Sequence, residues 1–132
     1  MAKWKELNKN DNVYAIIVNS INTIENPVKT YNIVGFEISN KTSIIILKHG
    51  TNILEMPLDN KFSMEKDSSI TCFNSAILLK DGKQYEVYVM ICTDYTNITE
   101  RFKKYIDAKV KNIKDKIKQY SDTLHILQNL EI

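Results

Sequence analysis

A small antiparallel β-barrel or sandwich of five to seven strands, followed by one long C-terminal α-helix, is the α+β, mainly β fold that this 132-residue sequence predicts. Three observations carry that expectation. Short β-branched and aromatic runs alternate with turn residues from about residue 12 to residue 93. Asp81-Gly82 stands between two apolar runs, the strongest short hairpin signal in the chain. After Gly82 there is no glycine or proline, and apolar residues recur at helical spacing from Ile106 onward.

The strands are read in order. "NVYAIIVN" (12–19) is the first. "KTYNIVGFEIS" (29–39) follows Pro27, and Gly35 inside it marks a bulge or sharp bend. "TSIIILKH" (42–49) and "TNILEMP" (51–57) flank His49-Gly50, a tight turn in which glycine supplies a positive φ. "SSITCFNSAILLK" (68–80) and "KQYEVYVMICT" (83–93) flank Asp81-Gly82 as a two-residue type I′ hairpin. The opening "KELNKNDNVYAIIV" resembles the first strand of SH3-like barrels, where a polar turn leads into Val-Tyr; the resemblance covers about a tenth of the chain and implies a barrel fold only.

The hairpin also assigns faces. Pairing Lys80 with Lys83 sets Leu78 opposite Tyr85, Ala76 opposite Val87, Asn74 opposite Val89 and Cys72 opposite Ile91, an almost wholly apolar face. The other face is mixed, yet apolar towards Phe73, Tyr88 and Met90. Such a sheet wants cover on both sides: its own interior on one, and the C-terminal helix or a partner protein on the other.

Composition bounds the rest. Apolar content of 43% and charge of 26% are those of a globular chain, of a length at which one core suffices without metal or disulfide. No run of 18 apolar residues is present, and the polar start "MAKWKELNKNDN" has no apolar signal core, so the expected location is cytoplasmic, in a host cytoplasm or a virion if phage-encoded. Heavy use of Ile, Asn and Lys fits an AT-rich genome, such as a low-GC bacterium or its phage. Residues 1–94 carry ten Lys and eleven acids, a net of −1; residues 95–132 carry seven Lys, one Arg and five acids, a net of +3. The basic character therefore lies in the tail.

Two domains are expected, a β body over 1–94 and an amphipathic helix over 95–132. Asn97 is the expected N-cap, with Glu100 as its capping-box partner. Ile106, Val110, Ile113, Ile117, Tyr120, Leu124 and Leu127 follow at steps of 4, 3, 4, 3, 4 and 3, a heptad seam. A helix from 97 to 129 would measure roughly 50 Å. The body's radius of gyration is only about 12 Å. Either the helix breaks near Ser121-Asp122-Thr123 and straps its own body, or it runs straight and zips to another chain.

Catalytic chemistry finds little footing. Cys72 and Cys92 match no zinc spacing and read as reduced thiols on opposite faces. His49 sits in a turn and His125 beside a seam residue, neither with a partner motif. Three scattered glycines allow no phosphate loop, and no nucleophile elbow is present. Trp4 either closes one barrel end or serves as an exposed docking aromatic. The expectation is thus a non-enzymatic protein–protein interaction or assembly module, self-associating or a subunit of a larger assembly. It has no cofactor or metal, and its interface is Ile106, Val110, Ile113, Ile117, Tyr120, Leu124 and Leu127. The alternative is a nucleic-acid-binding protein that contacts phosphates through Lys103, Lys104, Lys111, Lys114 and Lys118.

Overall fold

A computed structural model describes residues 2–18, 28–59, 64–69 and 72–130. The chain forms a closed six-stranded barrel and then one helix. The strands are β1 (Asn12–Val18), β2 (Lys29–Ile38), β3 (Ser43–His49), β4 (Asn52–Leu58), β5 (Asn74–Lys80) and β6 (Lys83–Cys92); the helix α1 is Tyr95–Gln128. Strand order follows the chain, and every neighbouring pair is antiparallel, including β1 with β6. Closure settles the choice between barrel and sandwich: it leaves the sheet with no edge strand to protect. The chain divides into two compact units, Met1–Thr99 and Glu100–Ile132.

Turn chemistry sets the register. Asp81 (φ 53°) and Gly82 (φ 73°) both take the left-handed conformation of a type I′ turn, and Lys80 pairs with Lys83 as the sequence predicts. Asn74 therefore faces Val89, Ala76 faces Val87 and Leu78 faces Tyr85. Gly50 (φ 59°) supports the β3–β4 turn, where His49 pairs with Asn52. In β2 the register against β3 shifts between Ile33 and Gly35, so the expected irregularity is a bulge carried by Val34. One expectation fails. β5 begins at Asn74 rather than Ser68, so Cys72 lies before the strand and does not face Ile91. Ser68 instead hydrogen-bonds Thr93, Oγ to Oγ1 at 2.9 Å, and its N–H donates to Ala2 O at 2.9 Å, which commits it to the barrel end. Residues 70 and 71 of that expected strand, and Asn19 of the first, lie outside the described residues.

The interior follows from alternation. Val13 and Ala15 from β1, Tyr31 and Ile33 from β2, Ile45 and Leu47 from β3, Leu54 and Met56 from β4, Ala76 from β5, and Val87, Val89 and Ile91 from β6 are buried together. Trp4 and Met64 join the same core. Trp4 sits on a 3-10 turn, Trp4–Glu6, and its N–H donates to Lys66 O at 3.1 Å. The backbones of Lys3 and Asp67 form an isolated antiparallel β-bridge, and the Lys3 and Lys5 ammonium groups both pair with the Glu65 carboxylate. The hydrogen bond from Lys5, ahead of that from Lys3, holds the Glu65 carboxyl below its usual pKa. Trp4 is thus the plug of one barrel end, 2% exposed, and not a docking aromatic.

The outer face of the β1–β6 pairing is buried as well. Tyr14 lies opposite Cys92 and Ile16 opposite Met90, and Ile16, Met90 and Cys92 are all buried although they point away from the interior. Ile98, in the first turn of α1, is also fully buried, and Tyr95 meets Tyr14 edge to face at 5.4 Å between ring centroids. The first turn of the helix therefore folds with the barrel unit. Its start also corrects an expectation. The Asp94 carboxylate accepts from the N–H of Thr96 at 2.9 Å and of Asn97 at 3.3 Å, so Asp94, not Asn97, is the N-cap. Asn97 instead donates from its amide to Ser69 O. An aspartate two residues after β6 can reach the first free N–H groups; Asn97 already lies inside the first turn.

Two substitutions test this account. Trp4→Ala is expected to cost about 3–5 kcal/mol in urea unfolding followed by circular dichroism; a loss under about 1 kcal/mol would show that the ring is not core. Asp94→Ala is expected to cost about 0.5–2 kcal/mol, and Asn97→Ala clearly less; the reverse order in the same titration would restore Asn97 as the cap.

Candidate functional site

The heptad seam lies on an uninterrupted helix. α1 continues through Ser121, Asp122 and Thr123, so the expected break near 121–123 is not made there. The physical reason is local: these three polar residues can cap a new helix, but nothing forces the old one to end, since no glycine or proline follows Gly82. Thirty-four residues give a rod of about 51 Å. Near its start Phe102 stacks on Tyr105 at 6.3 Å, and the Lys109 ammonium sits 5.6 Å from the Tyr105 ring centroid, a cation–π contact.

On a straight helix the seven seam residues fall in one stripe, because steps of 4 and 3 average close to 3.6 residues per turn. Ile106 is half-buried. Val110, Ile113, Ile117, Tyr120, Leu124 and Leu127 are exposed, from 45% at Val110 to 74% at Tyr120. These six large apolar side chains lie in one exposed line.

The lysines sort by face too. At about 100° per residue, Lys103, Lys104, Lys111, Lys114 and Lys118 fall within an arc of about 100° beside the seam. Asp107 lies inside that arc and Asp115 at its margin, while Lys109 and Lys116 flank the seam's other side. All of these residues are exposed.

The remaining candidates lie on the barrel and at the helix end. His49 Nδ1 lies 2.8 Å from Thr30 O, and its ring tilts against Tyr31 at 5.4 Å, which ties the β3 end to β2. His125 neighbours Asn129, whose amide donates to the His125 carbonyl at 2.7 Å, a bond that closes the last helical turn. Cys72 is exposed and Cys92 buried, and both are free thiols. Burial pushes the Cys92 thiol pKa up, and its Sγ accepts the Asp94 N–H at 3.3 Å. Among the described residues no group of three His, Cys, Asp or Glu could hold a metal ion, and no helix is long and apolar enough to cross a membrane. On the barrel, a hollow of about 480 Å³ opens between Pro57 and the β5–β6 hairpin, with Ile77, Glu86 and Tyr88 on its walls. Its polar groups are a single carboxylate, a phenol and the Ser75 hydroxyl, spread over neighbouring strands.

No family model, no curated protein and no solved structure matches the chain. Sequence reasoning singled out the seam residues, and the helix brings them into one stripe. It anticipated that the face carrying Met90 would need cover, and missed the burial of Ile16 beside it; the available signal was that β1 reads Ala15-Ile16-Ile17-Val18, a continuous apolar run rather than an alternation.

The two thiols give a direct check on the site chemistry. In native protein one equivalent of a maleimide is expected to react, at Cys72, with Cys92 reacting only in denaturant; rapid labelling of both in native protein would contradict the burial of β6.

Proposed function

We propose that the chain is an interaction module that assembles with a second copy of itself through the α1 seam. The observation that carries the reading is the exposed, three-heptad line of Val110, Ile113, Ile117, Tyr120, Leu124 and Leu127, continued by Ile106. Dimension supports it. A barrel of about 100 residues is roughly 30 Å across, so the rod of about 51 Å is longer than the barrel is wide. Area supports it as well. Six side chains at this exposure offer on the order of 100 Å² each, hence about 1,200 Å² for a pair of chains, the lower bound of specific interfaces. Burying each such side chain contributes roughly 1.5–3 kcal/mol before the entropy of association is subtracted.

A second reading rests on a separate observation, the one-sided grouping of Lys103, Lys104, Lys111, Lys114 and Lys118 beside the seam. Such a flank could neutralise nucleic-acid phosphates as point charges. Asp107 within it weakens the field, and only Arg101 is available for the bidentate contacts that base recognition favours.

The double variant Ile113→Asp with Ile117→Asp is expected to reduce the solution mass to that of a monomer, while the circular dichroism of the barrel stays unchanged. Loss of the barrel signal instead would mean that the seam belongs to the core, and a wild-type monomer would end the self-association reading. For the second reading, anisotropy with a labelled DNA duplex at low salt should show binding whose log–log salt slope is about −4.5 if five lysines contact phosphate; no binding at micromolar protein removes it.

A further inference from the structure

The seam says that two helices can meet; the residues beside it say which way they run. Written as heptads, Val110, Ile117 and Leu124 occupy one set of core positions, and Ile106, Ile113, Tyr120 and Leu127 the other. One flank of the core then carries Asp107, Lys114, Ser121 and Gln128, and the other carries Lys109, Lys116 and Thr123, all exposed.

Three alignments of two copies bury all or nearly all of the seam. In a parallel pair each core residue meets its own counterpart. Lys109 of each copy then lies against Lys114 of the other, and Lys103 meets Lys103 in a core layer. In an antiparallel pair with Ile113 opposite Ile117, Lys114 faces Lys114 and Lys116 faces Lys116 at the centre. In an antiparallel pair displaced by one heptad, Ile117 meets Tyr120, Ile113 meets Leu124 and Val110 meets Leu127, each layer occurring twice. Its flanking pairs are Lys114 with Ser121, Lys116 with Thr123, Lys109 with Leu130 and Asp107 with Gln128. That alignment sets no two like charges against each other. The chosen alignment leaves only Ile106, half-buried in its own chain, without a seam partner; further displacement in one direction puts Lys103 and Thr99 into the core, and in the other it uncovers Val110 and Ile113 as well.

We propose that the helix pairs with a second copy in the antiparallel sense, with Ile117 of each chain against Tyr120 of the other. Like charges held opposite one another are the repulsive element that excludes the competing alignments. The proposal rests on the self-association reading and adds direction and register to it.

Disulfide trapping separates the three alignments. Each variant also carries Cys72→Ser, which removes the exposed thiol; the buried Cys92 stays. D107C/Q128C reports the proposed register, D107C/S121C the antiparallel register with lysines at its centre, and I113C the parallel pair, and none of the three removes a lysine. Within one chain, positions 107 and 128 are about 31 Å apart on the helix and cannot bond. In a glutathione redox buffer, read on a non-reducing gel, D107C/Q128C is expected to give at least about tenfold more cross-linked dimer than either other variant. A dominant I113C or D107C/S121C product overturns the proposed register, as does a dimer that cross-links in none of them. Light scattering on the wild-type chain keeps the two levels apart: a monomer overturns self-association itself, whereas a discrete oligomer with the wrong cross-link overturns only the register.

Discussion

The five-residue pairing of β1 with β6 closes the barrel, and the interior, the end plug and the start of the helix all depend on it. Unpaired, β1 and β6 would be two exposed edges with free N–H and C=O groups, open to association with any other strand. Paired, they set Ala15 opposite Ile91 and Ile17 opposite Val89 on the inside, and Tyr14 opposite Cys92 and Ile16 opposite Met90 on the outside. The side-chain period of a strand is two residues, so a slip by one would exchange these sets and turn the interior residues outwards.

Closure also places the chain for its change from strand to helix. Only Thr93 and Asp94 separate β6 from α1. Thr93 is held to Ser68, and the Asp94 N–H donates to the sulfur of Cys92, so the Asp94 carboxylate stands over the first free N–H groups of the helix. Ile98 is then buried in the barrel unit, and the boundary between the two units falls after Thr99, inside the helix. The remaining helix bears its seam as a separate unit. Helices in proteins draw most of their stability from packing of an apolar face rather than from propensity.

Much of this was legible in the residues. The Asp81-Gly82 hairpin and its register were readable because a two-residue loop between apolar runs allows few backbone conformations. The turn at Gly50 and the irregularity near Gly35 were readable because glycine marks places where other residues are strained or pack poorly. The heptad steps from Ile106 to Leu127 were readable because helical periodicity is a local property. Less legible were features that depend on distant parts of the chain. Asn97 looked like a cap because the four letters from Asn97 to Glu100 fit a capping box, yet Asp94 was brought closer by the end of β6. The run from Ser68 looked like a continuation of β5, yet Ser68 bonds to Thr93 and Ala2, far away in sequence.

By itself, then, the sequence determined the strand succession, the register of the Asp81-Gly82 hairpin and the position of the seam, since each follows from spacing within a few residues. Tertiary structure alone decided that the sheet closes, which of two roles Trp4 takes, that Ile16 is buried on the outside, and where the helix is capped. Those outcomes depend on which elements meet across tens of residues, and pairing between β1 and β6, some seventy positions apart, leaves no mark in the local pattern of either strand.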